Sequence, residues 1–146
     1  MRKPILATLV AGLFATSAFA AMNPMVGGAE MFAEKNIVEN AMNSKDHTTL
    51  VAAVAAAGLV DTLKGAGPFT VFAPTNDAFA ALPAGTVDKL LQPDMKDTLT
   101  KVLTCHVVPA AAMSDAVTKM VMDDGGMHKI KTVGGCELTA SIKDGK

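Results

Sequence analysis

Cys105 and His106 are neighbours in the sequence, and a thiol beside an imidazole is the pair from which thiol enzymes build a nucleophile and its base. Residues 104–108 have strand character, and neighbouring side chains on a strand point to opposite faces. On that prediction the two groups cannot meet. His47 or His128 could serve instead, but no glycine-rich loop that could hold an oxyanion supports this. We therefore expect no catalytic residues and interpret His106 as a structural histidine.

Ten methionines raise the possibility of a soft-metal site, because thioether and imidazole ligands suit Cu(I) in an exported protein. Met120, Met122 and Met127 come shortly before His128. Methionine also fills gaps in a core that has few aromatic side chains, and the chain has no tight Met/His repeat. We expect no metal ion and no cofactor. A periplasmic small-ligand or copper-binding protein is the alternative function.

The first 20 residues have the pattern of a signal peptide. Arg2 and Lys3 give a positive start, residues 5–15 are apolar, and a small-x-small site predicts cleavage between Ala20 and Ala21. The apolar run is too short to span a bilayer, and no other stretch of the sequence approaches that length. We expect a secreted or periplasmic protein, and an uncleaved N-terminal anchor is the alternative.

Cleavage would leave 126 of the 146 residues, which suits a single domain. The remaining 11 basic and 14 acidic residues give a formal charge of −3, so no basic surface is available for nucleic acid or anionic lipid. Four Phe and no Tyr or Trp remain, which disfavours a platform for stacking bases or sugar rings. The core must be built from aliphatic side chains and methionine.

Helical spacing is clear in three segments. An apolar stripe over residues 50–54 predicts a helix that ends at Gly58. Residues 87–91 predict a short helix, and apolar residues from Met95 to Leu103 predict another that begins at Asp94.

Residues 67–79, Gly-Pro-Phe-Thr-Val-Phe-Ala-Pro-Thr-Asn-Asp-Ala-Phe, carry the most informative pattern in the chain. Alternation over residues 69–73 predicts a strand buried on both faces, which Pro74 ends. Thr75 would cap a short helix, and Phe79 would fold its apolar stripe back onto the strand. We expect the residues of this motif to be structural, with the polar corner bonded to the backbone: Thr70, Val71, Phe72, Ala73, Pro74, Thr75, Asn76, Asp77 and Phe79.

This strand, corner and helix resemble the first homology box of the fasciclin-like domain. The likeness extends to other segments in the family's order and spacing, namely residues 36–41, 47–54, 57–64, 82–87 and 99–109. The predicted organisation is therefore a signal peptide at 1–20, a flexible leader at 21–35 and a fasciclin-like domain at 36–146.

The resemblance implies an α+β fold in which short helices pack around a wedge of two β-sheets. Helices and strands that are grouped rather than alternating favour the same class. The resemblance also implies a non-enzymatic cell-adhesion or interaction module, with a protein or glycan partner at the cell surface or in the extracellular matrix. We expect a bacterial protein of this type.

The chain departs from the family pattern in two places. Cys105 stands where family members have a tyrosine before His106, and the second homology box is missing. Asp144-Gly145 predicts a type I′ hairpin turn that is followed only by Lys146. We therefore expect a C-terminally incomplete domain without its closing strands, and a naturally short variant is the alternative.

Two cysteines in an exported chain predict a disulfide between Cys105 and Cys136. Residues 129–133 and 136–142 flank Gly134-Gly135, which predicts a hairpin with Cys136 on the apolar face of its second strand. Two separately buried thiols are the alternative.

Overall fold

The computed structural model of the chain describes residues 22–145. Seven α-helices lie within this range: α1 (Ile37–Asn43), α2 (Thr48–Ala57), α3 (Val60–Lys64), α4 (Asn76–Ala80), α5 (Thr86–Leu90), α6 (Lys96–Thr104) and α7 (Ser114–Asp123). The strands are β1 (Met25–Val26), β2 (Ala29–Glu30), β3 (Thr70–Val71), β4 (Val107–Val108), β5 (Met127–Lys131) and β6 (Glu137–Ser141). The α+β prediction is confirmed. The predicted signal peptide and its cleavage site between Ala20 and Ala21 lie outside the described residues.

The strands of residues 22–145 form three antiparallel pairs, β1–β2, β3–β4 and β5–β6. These are smaller units than the wedge of two sheets that the family resemblance implies. The tip of the β5–β6 hairpin is bonded to the rest of the fold, because the Val133 N–H donates to the Val107 carbonyl at 2.8 Å. The Gly134 N–H likewise donates to the Thr104 carbonyl at 3.0 Å, where α6 ends.

The hydrophobic core is centred on α2 and α6, and it is aliphatic as the composition requires. Leu50 and Val54 of the predicted stripe on α2 are buried and Val51 is half-buried, and Gly58 ends the helix in a left-handed conformation with φ of 73°. The predicted helix from Met95 to Leu103 corresponds to α6 and the short 3-10 turn Pro93–Met95 before it. The buried residues of this core are Val38, Leu50, Ala53, Val54, Ala57, Leu63, Leu99, Leu103 and Val107.

The prediction of a strand over residues 69–73 that is buried on both faces is wrong. Only Thr70 and Val71 are in β3, and the Phe72 side chain is 39% exposed. The Phe72 N–H still donates to the His106 carbonyl at 2.9 Å, so pairing with the segment around β4 extends one residue further. Since β3 has one partner strand within the described residues, its other side stays open.

The prediction that Cys105 and His106 lie on a strand is also wrong. α6 runs to Thr104, and the Cys105 and His106 N–H groups donate to the carbonyls of Lys101 and Leu103 at 3.0 and 2.9 Å. Both residues therefore belong to the C-terminal turn of the helix. The β-branched residues Thr104, Val107 and Val108 suggested a strand. The backbone N–H groups of Cys105 and His106 nevertheless bond to carbonyls of α6.

The segment read as a flexible leader contains the β1–β2 hairpin. The Gly27 carbonyl accepts a hydrogen bond from the Lys45 N–H at 3.1 Å. Asn40 on α1 bonds both backbone groups of Phe32, accepting from its N–H and donating to its carbonyl at 2.9 Å. Hydrogen bonds therefore attach residues 24–32 to the helices. These bonds could not be predicted from the periodicity of the sequence. The domain boundary at residue 36 stays a prediction.

The predicted C-terminal hairpin is present, with a longer connection than a two-residue turn. β5 ends at Lys131 and β6 begins at Glu137, so residues 132–136 form the loop. Along β6 the exposed residues Glu137, Thr139 and Ser141 alternate with half-buried Leu138 and Ala140, as the sequence predicts. Ser114 is the first residue of α7.

Candidate interaction surface

The side chain of Asn76, at the start of α4, connects three parts of the fold. Its Oδ1 accepts hydrogen bonds from the Thr49 N–H at 3.0 Å and the Thr48 hydroxyl at 3.2 Å. Its Nδ2 donates to the Lys45 carbonyl at 2.8 Å. The neighbouring Thr75 hydroxyl accepts from the Ala78 N–H at 3.4 Å and caps α4. Both side chains are thus committed to backbone groups.

Thr70 of the motif and the predicted structural histidine His106 also use polar side-chain atoms inside the fold. The Thr70 hydroxyl donates to the Ala110 carbonyl at 2.6 Å and accepts from the Ala112 N–H at 2.8 Å. The Nδ1 of His106 bonds the Val102 carbonyl at 2.8 Å, one turn back along α6. The Thr70 side chain therefore joins β3 to the segment after β4, whereas the His106 side chain bonds within its own helical turn. Phe79 packs against the core, and Pro74 lies two residues after Phe72, where pairing with the segment around β4 ends.

Asp77 differs from the rest of the motif because its side chain is exposed in the first turn of α4. It lines a cleft of about 200 Å³ together with Asp46, Thr75 and Asn76. Two of the four lining residues are acids. We define these four residues as the polar corner.

Cys105 and Cys136 form a disulfide with their Cα atoms 5.2 Å apart. The bond joins the C-terminal turn of α6 to the end of the hairpin loop, 31 residues later. Thr132 holds the loop from the other side, since its hydroxyl donates to the Cys136 carbonyl and accepts from the Cys136 N–H, both at 3.1 Å. With both sulfurs bonded to each other, the thiolate of a cysteine nucleophile is not present in this structure.

The residues suggested for a soft-metal site are not brought together on one face. Met120 and Met122 are two positions apart on α7, and helix positions with that spacing do not face each other. The Nδ1 of His128 is 2.6 Å from Asp124 Oδ2. Within residues 22–145 no group of three or more His, Cys, Asp or Glu side chains is close enough to hold a metal ion.

The methionines around α7 are exposed. Val121 is 1% exposed and packs in the interior, whereas the surrounding methionines point outward. We define the α7 methionines as Met113, Met120, Met122 and Met127, which are 70%, 44%, 67% and 65% exposed. The sequence suggested methionine as core filler or metal ligand and did not reveal this exposed set. The apolar positions of α7 around Val121 could have indicated it, since a single buried stripe leaves the other faces to solvent.

An apolar cavity of about 310 Å³ opens between α1, α2, α3 and β3, and it was not predicted from the sequence. We define it as the α1–α3 cavity. Its lining residues are Ile37, Val38, Ala41, Met42, Leu50, Val51, Val54, Ala55, Val60, Leu63, Lys64 and Val71. Four separate elements contribute to the lining, so no local sequence pattern could reveal the cavity.

Lys129 and Glu137 form an exposed ion pair across the β5–β6 hairpin, with Nζ and Oε1 2.7 Å apart. The hydrogen bond to Glu137 and the attraction of its carboxylate raise the pKa of Lys129 above 10.5. The same hydrogen bond and attraction lower the pKa of Glu137 below 4.5, and Lys131 adds to the effect. The pair is too exposed to form a reactive centre.

Comparison with known proteins gives a family match. The profile of the fasciclin domain matches residues 45–146. None of the helices within residues 22–145 is both long and apolar enough to cross a bilayer.

Three relatives illustrate the range of similar proteins. Protein sll1483 of Synechocystis is 53% identical over 110 residues, which cover 75% of this chain and 57% of the relative. Cell surface glycolipoprotein MPB83 of Mycobacterium bovis is 37% identical over 127 residues, covering 83% and 52%. Transforming growth factor-beta-induced protein ig-h3 of Sus scrofa is 40% identical over 95 residues, covering 65% and 13%. The chain spans about half the length of the first two relatives.

Proposed function

Because this chain belongs to the fasciclin domain family, we propose that it is a non-enzymatic interaction module of the bacterial cell surface or periplasm. Its partner would be a protein or glycan at the surface or in the surrounding matrix. The name of one relative, a cell surface glycolipoprotein, supports the location. The predicted signal peptide at residues 1–20 supports export.

The observation that carries this proposal is the exposure of the α7 methionines. A methionine side chain is flexible and polarizable, so it adapts to partner surfaces of different shape. Val121 anchors α7 to the fold, and the disulfide and the Val133–Val107 bond fix the hairpin beside it. The apolar side chains are thus presented on a rigid support, which lowers the entropy lost on binding.

The motif residues give a reason to locate binding elsewhere than in the homology box. Thr70, Thr75, Asn76 and His106 all use their polar atoms inside the fold. A partner that hydrogen-bonded to these polar atoms would compete with those bonds, and Asp77, whose side chain is exposed, is the exception in the motif. The motif is therefore the support of the module, and we locate binding at the exposed α7 methionines, which lie on more than one face of the helix.

Saturable binding of the labelled protein to envelopes of the bacterium that encodes it tests the proposal. A triple variant, Met113→Gln, Met122→Gln and Met127→Gln, should bind at least about tenfold more weakly, a loss of about 1.4 kcal/mol. The matched control changes three other exposed methionines, Met22, Met25 and Met42, to Gln. It should bind like the original protein.

Two results would contradict the proposal. One is equal affinity of both triple variants and the original protein, which would remove the α7 methionines from the binding surface. The other is a stoichiometric Cu(I) site that is lost when Met120, Met122 and His128 are changed. That result would favour the soft-metal alternative.

A further inference from the structure

The α1–α3 cavity is too large to be a packing imperfection. Protein interiors contain few voids larger than a water molecule, whose share of liquid volume is about 30 Å³. The cavity holds about 310 Å³ and lies at the lower end of the range typical of ligand sites, about 300–1,000 Å³. Exposed Met42 and Lys64 are among its lining residues, so it is reached from solvent on that side.

A second cavity adjoins the first at lining residues that the two have in common. It holds about 320 Å³ and shares Ile37, Ala41, Leu50 and Val71 with the α1–α3 cavity. Polar residues occur at this far end, but their side chains are already bonded. Ser44 Oγ and His47 Nδ1 are 2.8 Å apart, and Asn40 is bonded to Phe32. What the two cavities offer a ligand is therefore an elongated apolar space.

Lys64 supplies the only charge on the lining of the α1–α3 cavity. No carboxylate lines either of the two cavities. Lys64 forms no ion pair with another residue of the described range 22–145. A single ammonium group beside an apolar space complements a ligand with one negative charge and a long apolar tail.

We propose that this site binds a fatty-acid-like monocarboxylate, with its tail in the cavity and its carboxylate beside Lys64 Nζ. The inference goes beyond the proposed interaction function and uses a different surface from the α7 methionines. A phosphate headgroup fits less well. Phosphate sites combine several charge-assisted donors, whereas Lys64 is the one cation on the lining of the α1–α3 cavity.

An extended peptide is a weaker candidate for the same groove. The Phe72 N–H bonds the His106 carbonyl, and antiparallel residues alternate between facing the partner strand and facing away. Val71 therefore directs its backbone groups to the open side of β3, while its two neighbours direct theirs to the β4 side. A peptide strand would find a single residue to pair with in β3.

Calorimetric titration of the purified protein with laurate below its micellar concentration tests the proposal. We expect one laurate per chain. Across octanoate, decanoate and laurate the affinity should rise by up to about fourfold for each added methylene, until the tail fills the space. Dodecyltrimethylammonium, which has the same tail and the opposite charge, should bind at least tenfold more weakly than laurate.

Three variants locate the site. Lys64→Met keeps the apolar stem without the charge and should weaken laurate at least tenfold while leaving 1-dodecanol unchanged. Ala41→Leu fills the region shared by both cavities and should weaken laurate and 1-dodecanol together. Lys89→Met changes an exposed lysine outside the cavity lining and should leave both affinities unchanged.

Several outcomes would overturn the proposal. They are an absence of laurate binding, an affinity independent of tail length, or equal laurate binding by the original protein and Lys64→Met. A dimer in sedimentation experiments that stays intact and binds no laurate would show instead that a second copy of the chain fills the groove.

Discussion

The side chain of Asn76 caps a helix that begins 28 residues earlier, through a 3.0 Å hydrogen bond from the backbone N–H of Thr49 to Asn76 Oδ1. His47, which directly precedes α2, supplies no side-chain cap of its own. Because the same amide donates to the Lys45 carbonyl, Asn76 also holds the chain just before α2. The most recognisable corner of the sequence is therefore a long-range connection between α4 and α2.

Replacing Asn76 with alanine should destabilise the protein by about 1–2 kcal/mol, the cost of losing a helix N-cap together with the bond to Lys45. Urea unfolding followed by far-ultraviolet circular dichroism measures the change. Asn43→Ala is the matched control, since Asn43 is exposed at the end of α1 and its side chain makes no hydrogen bond within residues 22–145. Equal stability of the two variants would show that the cap has no energetic role.

Reduction of the disulfide should lower the free energy of unfolding by about 3–4 kcal/mol in the chain-entropy account of a loop of this length. Cys105 and Cys136 are 31 positions apart, so the reduced unfolded chain gains considerable freedom. The measurement compares urea midpoints with and without reductant. A Cys105→Ala, Cys136→Ala variant is the control and should be as unstable as the reduced protein and insensitive to reductant. An unchanged midpoint on reduction would contradict the prediction.

Local patterns identified the elements whose information lies within a few residues. The apolar stripe that ends at Gly58 predicted α2. The alternation of Leu138 and Ala140 with polar residues predicted β6. The same reasoning failed at Cys105 and His106, because residues 104–108 suggest a strand while α6 still supplies their backbone partners. Local propensity is overridden where an adjoining element supplies the hydrogen-bond partners of the backbone N–H groups.

The candidate surfaces were harder to predict from the sequence than the helices and strands. Asn76 could be assigned to a corner, but its bond to Thr49 depends on how α4 packs against α2. The α1–α3 cavity depends on the packing of four elements, and no single stretch of sequence encodes it. Exposure of the α7 methionines depends on which face of α7 meets the hairpin. Tertiary packing decides each of these features.

Gly134 to alanine should be more destabilising than the neighbouring change at Gly135. A Cβ at residue 134 would lie 2.8 Å from the Cys105 backbone nitrogen and 2.6 Å from the Thr104 hydroxyl oxygen, both closer than real contacts allow. Relieving this overlap moves the hairpin tip away from α6, at a cost of about 1–3 kcal/mol. Thermal unfolding followed by circular dichroism measures the loss of stability.

Gly135→Ala is the control that separates the effect of the steric overlap at residue 134 from the effect of backbone strain. Gly135 has φ of 75° and open space where a Cβ would lie, so alanine there costs about 1–2 kcal/mol through the left-handed conformation alone. For Gly134→Ala we expect in addition weaker protection of the Gly134 N–H from hydrogen exchange, since its bond to the Thr104 carbonyl stretches. Normal protection of that amide in the variant would contradict the predicted displacement of the tip.

The ion pair between Lys129 and Glu137 should stabilise the hairpin only within a limited range of pH. The pKa of Glu137 is lowered by the Lys129 bond, so its contribution is present above 4.5 and is lost as the pH falls through the lower value of the folded state. The pKa of Lys129 is raised, so its contribution is present below 10.5 and is lost as the pH rises through the higher folded value. The effect on overall stability should be small because the pair is exposed.

Carbon chemical shifts of the Glu137 carboxyl group, recorded during an acid titration, test the pairing more directly than stability does. In Lys129→Met the pKa of Glu137 should move up to its ordinary value of 4.5 or slightly above, because the remaining burial effect raises it and outweighs the attraction of Lys131. Lys119→Met removes a different exposed ion pair, with Asp123, and should leave the Glu137 titration unchanged. High salt should shift the original protein in the same direction as Lys129→Met, since ions screen exposed charges. If the Glu137 midpoint in Lys129→Met equals that of the original protein, the cross-strand pair does not form in solution.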